Sequence, residues 1–170
     1  MPLTLGISGH RPKYWKYNKE ASSSLVSLVY RHLQDMRPDR VITGMALGMD
    51  MAAAEAALAL GIPYVGAIPF EGQEAMWPQE AQESYHRLRD SALLVEVISP
   101  AGFNDTAYRK RNEFIVANSH QMLVLHDGSP RSGTGHCVGL AAARSLPARN
   151  LWQELCGLRD AAQPTAGKDG

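Results

Sequence analysis

The sequence predicts an α/β fold with a mainly parallel sheet of five or six strands and helices on both faces. Short β-branched runs alternate with segments of helical apolar spacing along most of the 170 residues. Two of the predicted strands run into glycine-rich turns that open directly into helices, at Thr43 to Asp50 and at Asp127 to Gly135. Ala92 to Ile98 is a near-continuous apolar run of the kind covered on both faces. At 45% hydrophobic and 20% charged residues the chain is long and apolar enough for one domain with its own core. That domain is placed at residues 1–155, followed by a polar, disordered tail at 156–170.

Leu3 to Ser8 alternates as a first strand and is broken by Gly9-His10-Arg11-Pro12. Ser8, His10 and Arg11 therefore stand at a strand's carboxyl end, where open α/β sheets bind ligands, as a polar clamp suited to phosphate or sugar. Tyr14, Trp15 and Tyr17 follow in a loop, either stacking on a base or covering the end of the core. Lys19 to Asp35 carries Leu25, Leu28, Val29 and Leu33 at helical spacing and ends at Met36-Arg37-Pro38-Asp39. Val41 to Gly61 reads as strand, tight turn and alanine-rich helix. Gly44 and Gly48 can adopt positive φ and let another group reach the backbone, and the helix that follows points unpaired N–H groups at it. Gly44, Ala46, Gly48 and Asp50 are the candidate contacts of this turn, with Asp50 equally suited to capping the helix.

Ile62 to Pro69 supplies a third strand, and Gln73 to Asp90 a third helix with Pro78 in its first turn. Gln73 and Trp77 stand near that helix's start and face the ligand edge, although Trp77 also suits a core position. Ala92 to Ile98 is the fourth strand, and a helix from about Asn104 to Ser119 carries the one dense basic cluster, Arg109-Lys110-Arg111. Arg111 and Asn112 are its candidate ligand contacts, because Phe114, Ile115 and Val116 draw that part of the helix against the sheet. Gln121 to His126 is the fifth strand. Its turn holds Asp127, Ser129, Ser132, Gly133 and Thr134, with small residues and hydroxyls at a second helix N-terminus suited to an anion. Asn150-Leu151-Trp152 is a short last strand.

Composition excludes several function classes. Lysine plus arginine equal aspartate plus glutamate at 17 each, so no global field exists to hold a nucleic acid or a membrane. Cys137 and Cys156 are too few for a disulfide framework and match no zinc spacing, and no metal site is expected. No run approaches the roughly 20 apolar residues of a membrane span, and no leader pattern opens the sequence. A cytoplasmic protein is the expectation.

Five motifs in order carry a resemblance: Gly9-His10-Arg11-Pro12, Thr43 to Asp50, Ile68-Pro69-Phe70-Glu71-Gly72-Gln73 with Trp77, Lys110-Arg111-Asn112-Glu113, and Asp127-Gly128-Ser129 with Ser132-Gly133-Thr134. Over residues 3–152 the chain resembles the small bacterial and phage proteins of the YpsA-like group, in the SLOG superfamily of Rossmann-like domains. The resemblance implies a Rossmann-like three-layer sandwich and a pocket for a nucleotide or nucleotide-derived, ADP-ribose-like ligand at the carboxyl ends of the strands. The superfamily also contains DprA, LOG phosphoribohydrolases and SLOG sensor domains. LOG enzymes carry Gly-Thr-x-x-Glu, whereas here Gly133-Thr134 is followed by Gly135, His136 and Cys137, without the carboxylate.

The leading expectation is a sensor or carrier that binds a phosphate-bearing nucleotide, with no further cofactor and with self-association into a homo-oligomer open. The alternative is an enzyme cleaving or transferring N-glycosidic bonds of nucleotides, with Asp50 or Glu113 as its carboxylate. Single-stranded DNA binding of the DprA kind ranks third, because a neutral chain lacks the electrostatic footprint.

Overall fold

Strands too short to stand alone bury their apolar side chains by pairing with neighbours whose crossover helices cover them. The computed structural model describes residues 1–11 and 19–162. The elements run β1 (Thr4–Gly9), α1 (Lys19–Met36), β2 (Arg40–Thr43), α2 (Met49–Leu60), β3 (Tyr64–Ile68), α3 (Gln79–Ser91), β4 (Leu94–Val97), α4 (Ala107–Ala117), β5 (Gln121–Leu125), α5 (Gly133–Ala143), β6 (Ala148–Asn150) and α6 (Trp152–Ala162). They form a six-stranded sheet of order β4-β3-β2-β1-β5-β6. Every pairing among these strands is parallel.

Helices cover both faces, giving the Rossmann-like three-layer arrangement. On one side Leu5 and Ile7 of β1 meet Leu25, Leu28 and Leu33 of α1, the alanines of α2, Tyr85 and Leu88 of α3 and Leu155 of α6. On the other, Ile42, Val65 and Val124 meet Ile115 and Val116 of α4 and Cys137 and Ala141 of α5. Chain order reverses direction in the sheet between β1 and β5, so the loops leaving their carboxyl ends diverge and open a crevice.

Several boundaries differ from those read off the sequence. β4 is an edge strand rather than a strand covered on both faces: Leu94 at its start is 54% exposed, and Leu93 just before it 64%. Its apolar run is ordered by pairing to β3 alone. α3 begins at Gln79, not Gln73, because Pro78 lacks an N–H and disfavours helical geometry in the residue before it; Glu71 to Trp77 are turns and a bend. The last strand lies at Ala148–Asn150, two residues earlier than expected. The expected tail from residue 156 is helical as far as Ala162. Asn150 Oδ1 accepts the Trp152 N–H at 3.1 Å, and Leu151 and Leu155 are fully buried one turn apart. Burying each leucine stabilises by about 1.5–3 kcal/mol, enough to hold a short helix on the core. The rest of that tail, and Tyr14, Trp15 and Tyr17, lie outside the described residues.

Candidate functional site

At the crevice β1 ends in Ser8 and Gly9, and the N–H of His10, the next residue, donates to Leu125 O at 2.9 Å, continuing the β1–β5 pairing past the strand. Arg11 follows at the surface. The β2–α2 turn and the first turn of α2 contribute Ala46 and Asp50, α4 contributes Tyr108, Arg111 and Asn112, and the start of α5 contributes Ser132, Gly133 and Thr134. Together they line one cavity of about 230 Å³. Four segments far apart in the chain thus converge on one rim of the sheet.

The floor of the cavity is a polar lattice built on Gly44. Arg111 Nη1 donates to Gly44 O at 3.0 Å, and Gln73 Nε2 donates to the same oxygen at 3.2 Å. A Cβ at Gly44 would collide with the Arg111 guanidinium and lie 2.7 Å from Asp50 Oδ2. The space left by this glycine is therefore filled by the protein's own arginine. Arg111 Nε donates to Asn112 Oδ1 at 3.2 Å, and Asn112 Nδ2 donates to Gly133 O at 3.1 Å, tying α4 to the start of α5.

Asp50 is 5% exposed. Its Oδ2 accepts the Ala46 N–H at 3.3 Å and lies 3.9 Å from Arg111 Nη1, while Oδ1 has no hydrogen-bond partner among the described residues. The turn reaches this geometry through Met45 at φ 57° and Gly48 at φ 93°, both left-handed. Thr43 Oγ1 braces it by donating to Asp50 O at 2.7 Å. Burial pushes the Asp50 carboxyl above its ordinary range, and the Arg111 charge, the Ala46 amide and Arg11 pull it back in part. Burial also works against the Arg111 charge while Asp50 supports it. A guanidinium stays protonated under such opposition, so the cavity floor carries a fixed positive charge.

At the start of α5, Ser132 Oγ accepts the Gly135 N–H at 2.9 Å and donates to Ser129 O at 3.0 Å. The cap satisfies one helix-start amide, and Gly133 and Thr134 beside it line the cavity. Asp127 and Ser129 line no part of the cavity and form the brace behind it. Ser129 N donates to Asp127 Oδ1 at 2.9 Å, and His10 Nε2 lies 2.7 Å from the same oxygen. The Asp127 N–H also lies 3.0 Å from His10 Nε2, so this one ring nitrogen donates to the carboxylate when it carries the proton and accepts from the amide when it does not. Hydrogen bonds from Ser129, then His10, hold the Asp127 carboxyl well below its ordinary range.

Of the residues read from the sequence, Ser8, His10, Arg11, Ala46, Asp50, Arg111, Asn112, Ser132, Gly133 and Thr134 come together around the cavity. Gly44 and Gln73 lie beneath it as supports. Gly48 lines a separate space between α1, α2 and α3. Trp77 packs edge-on against the Tyr85 ring at 5.5 Å within the core. Glu113 is exposed and absent from the cavity wall. Cys137, at the position of the LOG glutamate, is buried beneath Ser8 with its thiol pushed up to about 11 by burial, so it stays protonated at neutral pH. Tyr108 was missed, although its spacing three residues before Arg111 puts both on one helix face. Arg11 and Arg111 lie 5.3 and 5.8 Å from its ring centre.

An open parallel sheet with a polar, helix-capped cavity at its switch point defines a Rossmann-like α/β domain. A profile described as the YspA SLOG family matches residues 5–144, and the chain belongs to that family. It is 31% identical over 130 residues to the SPbeta prophage-derived protein YoqJ of Bacillus subtilis (strain 168), covering 67% of this chain and 75% of YoqJ. UPF0398 protein ABC2016 of Shouchella clausii is 37% identical over 101 residues, covering 53% of this chain and 54% of that protein. Among solved structures, DprA from Streptococcus pneumoniae superposes at a TM-score of 0.62 and 16% identity, covering 95% of this chain and 57% of DprA. The molybdenum cofactor carrier protein of Chlamydomonas reinhardtii superposes at 0.56 and 15% identity, covering 95% of this chain and 87% of the carrier. Likeness at these identities establishes the fold alone. The chain thus spans little more than half of the Shouchella clausii relative and of DprA.

Proposed function

We propose that this chain binds a phosphate-bearing small molecule of the nucleotide class, ADP-ribose-like ligands included, and acts as a sensor or carrier. The observation that carries the reading is the pairing of Gly133, open on its side-chain face at the start of α5, with two arginines across one cavity. Amides at Gly133 and Thr134 suit phosphate oxygens, Arg11 and Arg111 offset their charge, and Asp50 in the cavity wall suits a sugar hydroxyl or a base N–H. A molybdenum cofactor carrier among the structural neighbours supports a carrier role for this architecture.

The test is a melting-temperature and calorimetric screen of nucleoside mono-, di- and triphosphates and ADP-ribose. At least one is expected to raise the melting temperature. Arg11→Ala, a change at an exposed residue, is expected to weaken that binding by roughly tenfold or more. A flat response across the panel would sink the proposal.

Asp50 also sustains the second reading, cleavage of an N-glycosidic bond. A carboxyl that belongs to the cavity wall and is held above its ordinary range by burial can take a proton from water or support a developing ribosyl cation. Chromatography of the bound nucleotide after long incubation separates the two: intact ligand supports binding, and released base supports hydrolysis.

A further inference from the structure

We propose that the cavity takes only the phosphosugar end of its ligand, and that the aromatic rim formed by Tyr108, Phe70 and Phe103 is a stacking subsite for the heteroaromatic base. This rests on the phosphate-binding reading above and adds to it the place and chemistry of the second half of the ligand.

Volume gives the first argument. Pockets that enclose whole drug-sized ligands run to roughly 300–1,000 Å³. At about 230 Å³ this cavity falls below that range, so a nucleotide seated on Gly133 and Thr134 extends beyond the wall. The direction it takes is set by what lies at the mouth.

Tyr108 forms part of that wall and is half-buried. Phe70, two residues beyond β3, meets the Tyr108 ring edge-on at 5.7 Å and the Phe103 ring edge-on at 5.4 Å. The three rings make a continuous apolar step leading outward from the cavity along the carboxyl rim of the sheet. Phe103 at its outer end is 67% exposed.

This exposure belongs to a built turn. Gly102, at φ 105°, donates its N–H to Ser99 O at 3.0 Å and accepts from Ser99 Oγ at 2.7 Å. Asn104 Nδ2 donates to Ser99 Oγ at 2.8 Å, and Asn104 Oδ1 accepts the Thr106 N–H at 3.0 Å. Each residue flanking Phe103 is thus hydrogen-bonded within the loop, and the ring is held outward by backbone geometry. An exposed apolar face joined to a polar cavity suits a flat ring tethered to a phosphosugar. Arg11, stacked on Tyr108, stands where the two parts meet.

The test compares AMP, GMP, CMP and UMP with ribose 5-phosphate by calorimetry, on the unmodified protein and on Phe103→Ala and Phe103→Tyr. At least one nucleotide is expected to bind on the order of tenfold tighter than ribose 5-phosphate, the worth of one base–aromatic stack. Phe103→Ala is expected to bring that ratio toward one, and Phe103→Tyr to preserve it. A ratio near one in the unmodified protein, or a ratio that Phe103→Ala does not move, overturns the base subsite while leaving phosphate binding intact. Failure of every nucleotide and of ribose 5-phosphate to bind overturns both.

Discussion

Gly44 lacks a side chain because the Arg111 guanidinium occupies the place of one. A methyl there would press on Arg111 and on Asp50 Oδ2 together, both buried and neither at the loose end of an exposed chain. Gly44→Ala is therefore expected to destabilise by about 1–3 kcal/mol, the usual cost of overpacking, measured as a shift of the urea midpoint. A change within about 0.5 kcal/mol, the range of indifferent surface substitutions, would contradict the observed seat of Arg111. The two aspartates of the site work in opposite directions as pH changes. Asp127 is depressed in the folded state by Ser129 and His10, so its contribution is complete above the ordinary value of 3.8 and is lost as pH falls through and below it. Asp127→Asn is expected to flatten the acid limb of the stability curve below about pH 4. An unaltered limb in acid titrations followed by circular dichroism would count against the brace. Asp50 is raised by burial, so the native state holds its proton more tightly than the unfolded chain does, and this group's stabilising share declines as pH climbs above 3.8.

Among the elements, α5 owes its entry to Ser132. The hydroxyl holds Gly135 N and Ser129 O at once, and a Cβ at Gly135 would lie 2.9 Å from the Pro130 carbonyl oxygen, so loop and helix start are one packed unit. Ser132→Ala is expected to cost about 1 kcal/mol of stability by chemical denaturation. No loss would mean that the cap does not hold the β5–α5 turn. The two glycine-rich turns, alike in sequence, serve different ends. The β5–α5 turn places Ser132, Gly133 and Thr134 in the cavity wall, whereas the glycines of the β2–α2 turn admit Arg111 and allow the left-handed entry to α2. β4 shows how an element takes character from its place: the same apolar run that suits a central strand is half uncovered when it is last in the sheet.

At the scale of the whole molecule, equal numbers of acidic and basic side chains leave local charge alone to draw an anion. That charge lies at Arg11 and Arg111 around a cavity, with no basic track leading away from it along the described cavity wall. A single-stranded oligonucleotide is accordingly expected to bind no tighter than its mononucleotide in fluorescence anisotropy at 50 and 200 mM salt. Tight binding with a steep salt dependence would revive the nucleic-acid reading. No helix among the described residues is long and apolar enough to cross a membrane. The sequence by itself determined the alternation of strands and helices, the glycine turns and the gathering of polar residues after strands. Periodicity and turn chemistry are local, and they are written in neighbouring residues: Leu25, Leu28 and Leu33 declare α1, and Ser132 declares the start of α5. Only the tertiary structure decided that β1 and β5 lie side by side, that β4 ends the sheet, that Arg111 reaches across to Gly44, and that Tyr108 and Phe103 join one rim. Those outcomes depend on strand order and on side-chain direction across distant contacts. Many registers of the same local pattern satisfy the local rules, and packing selects among them.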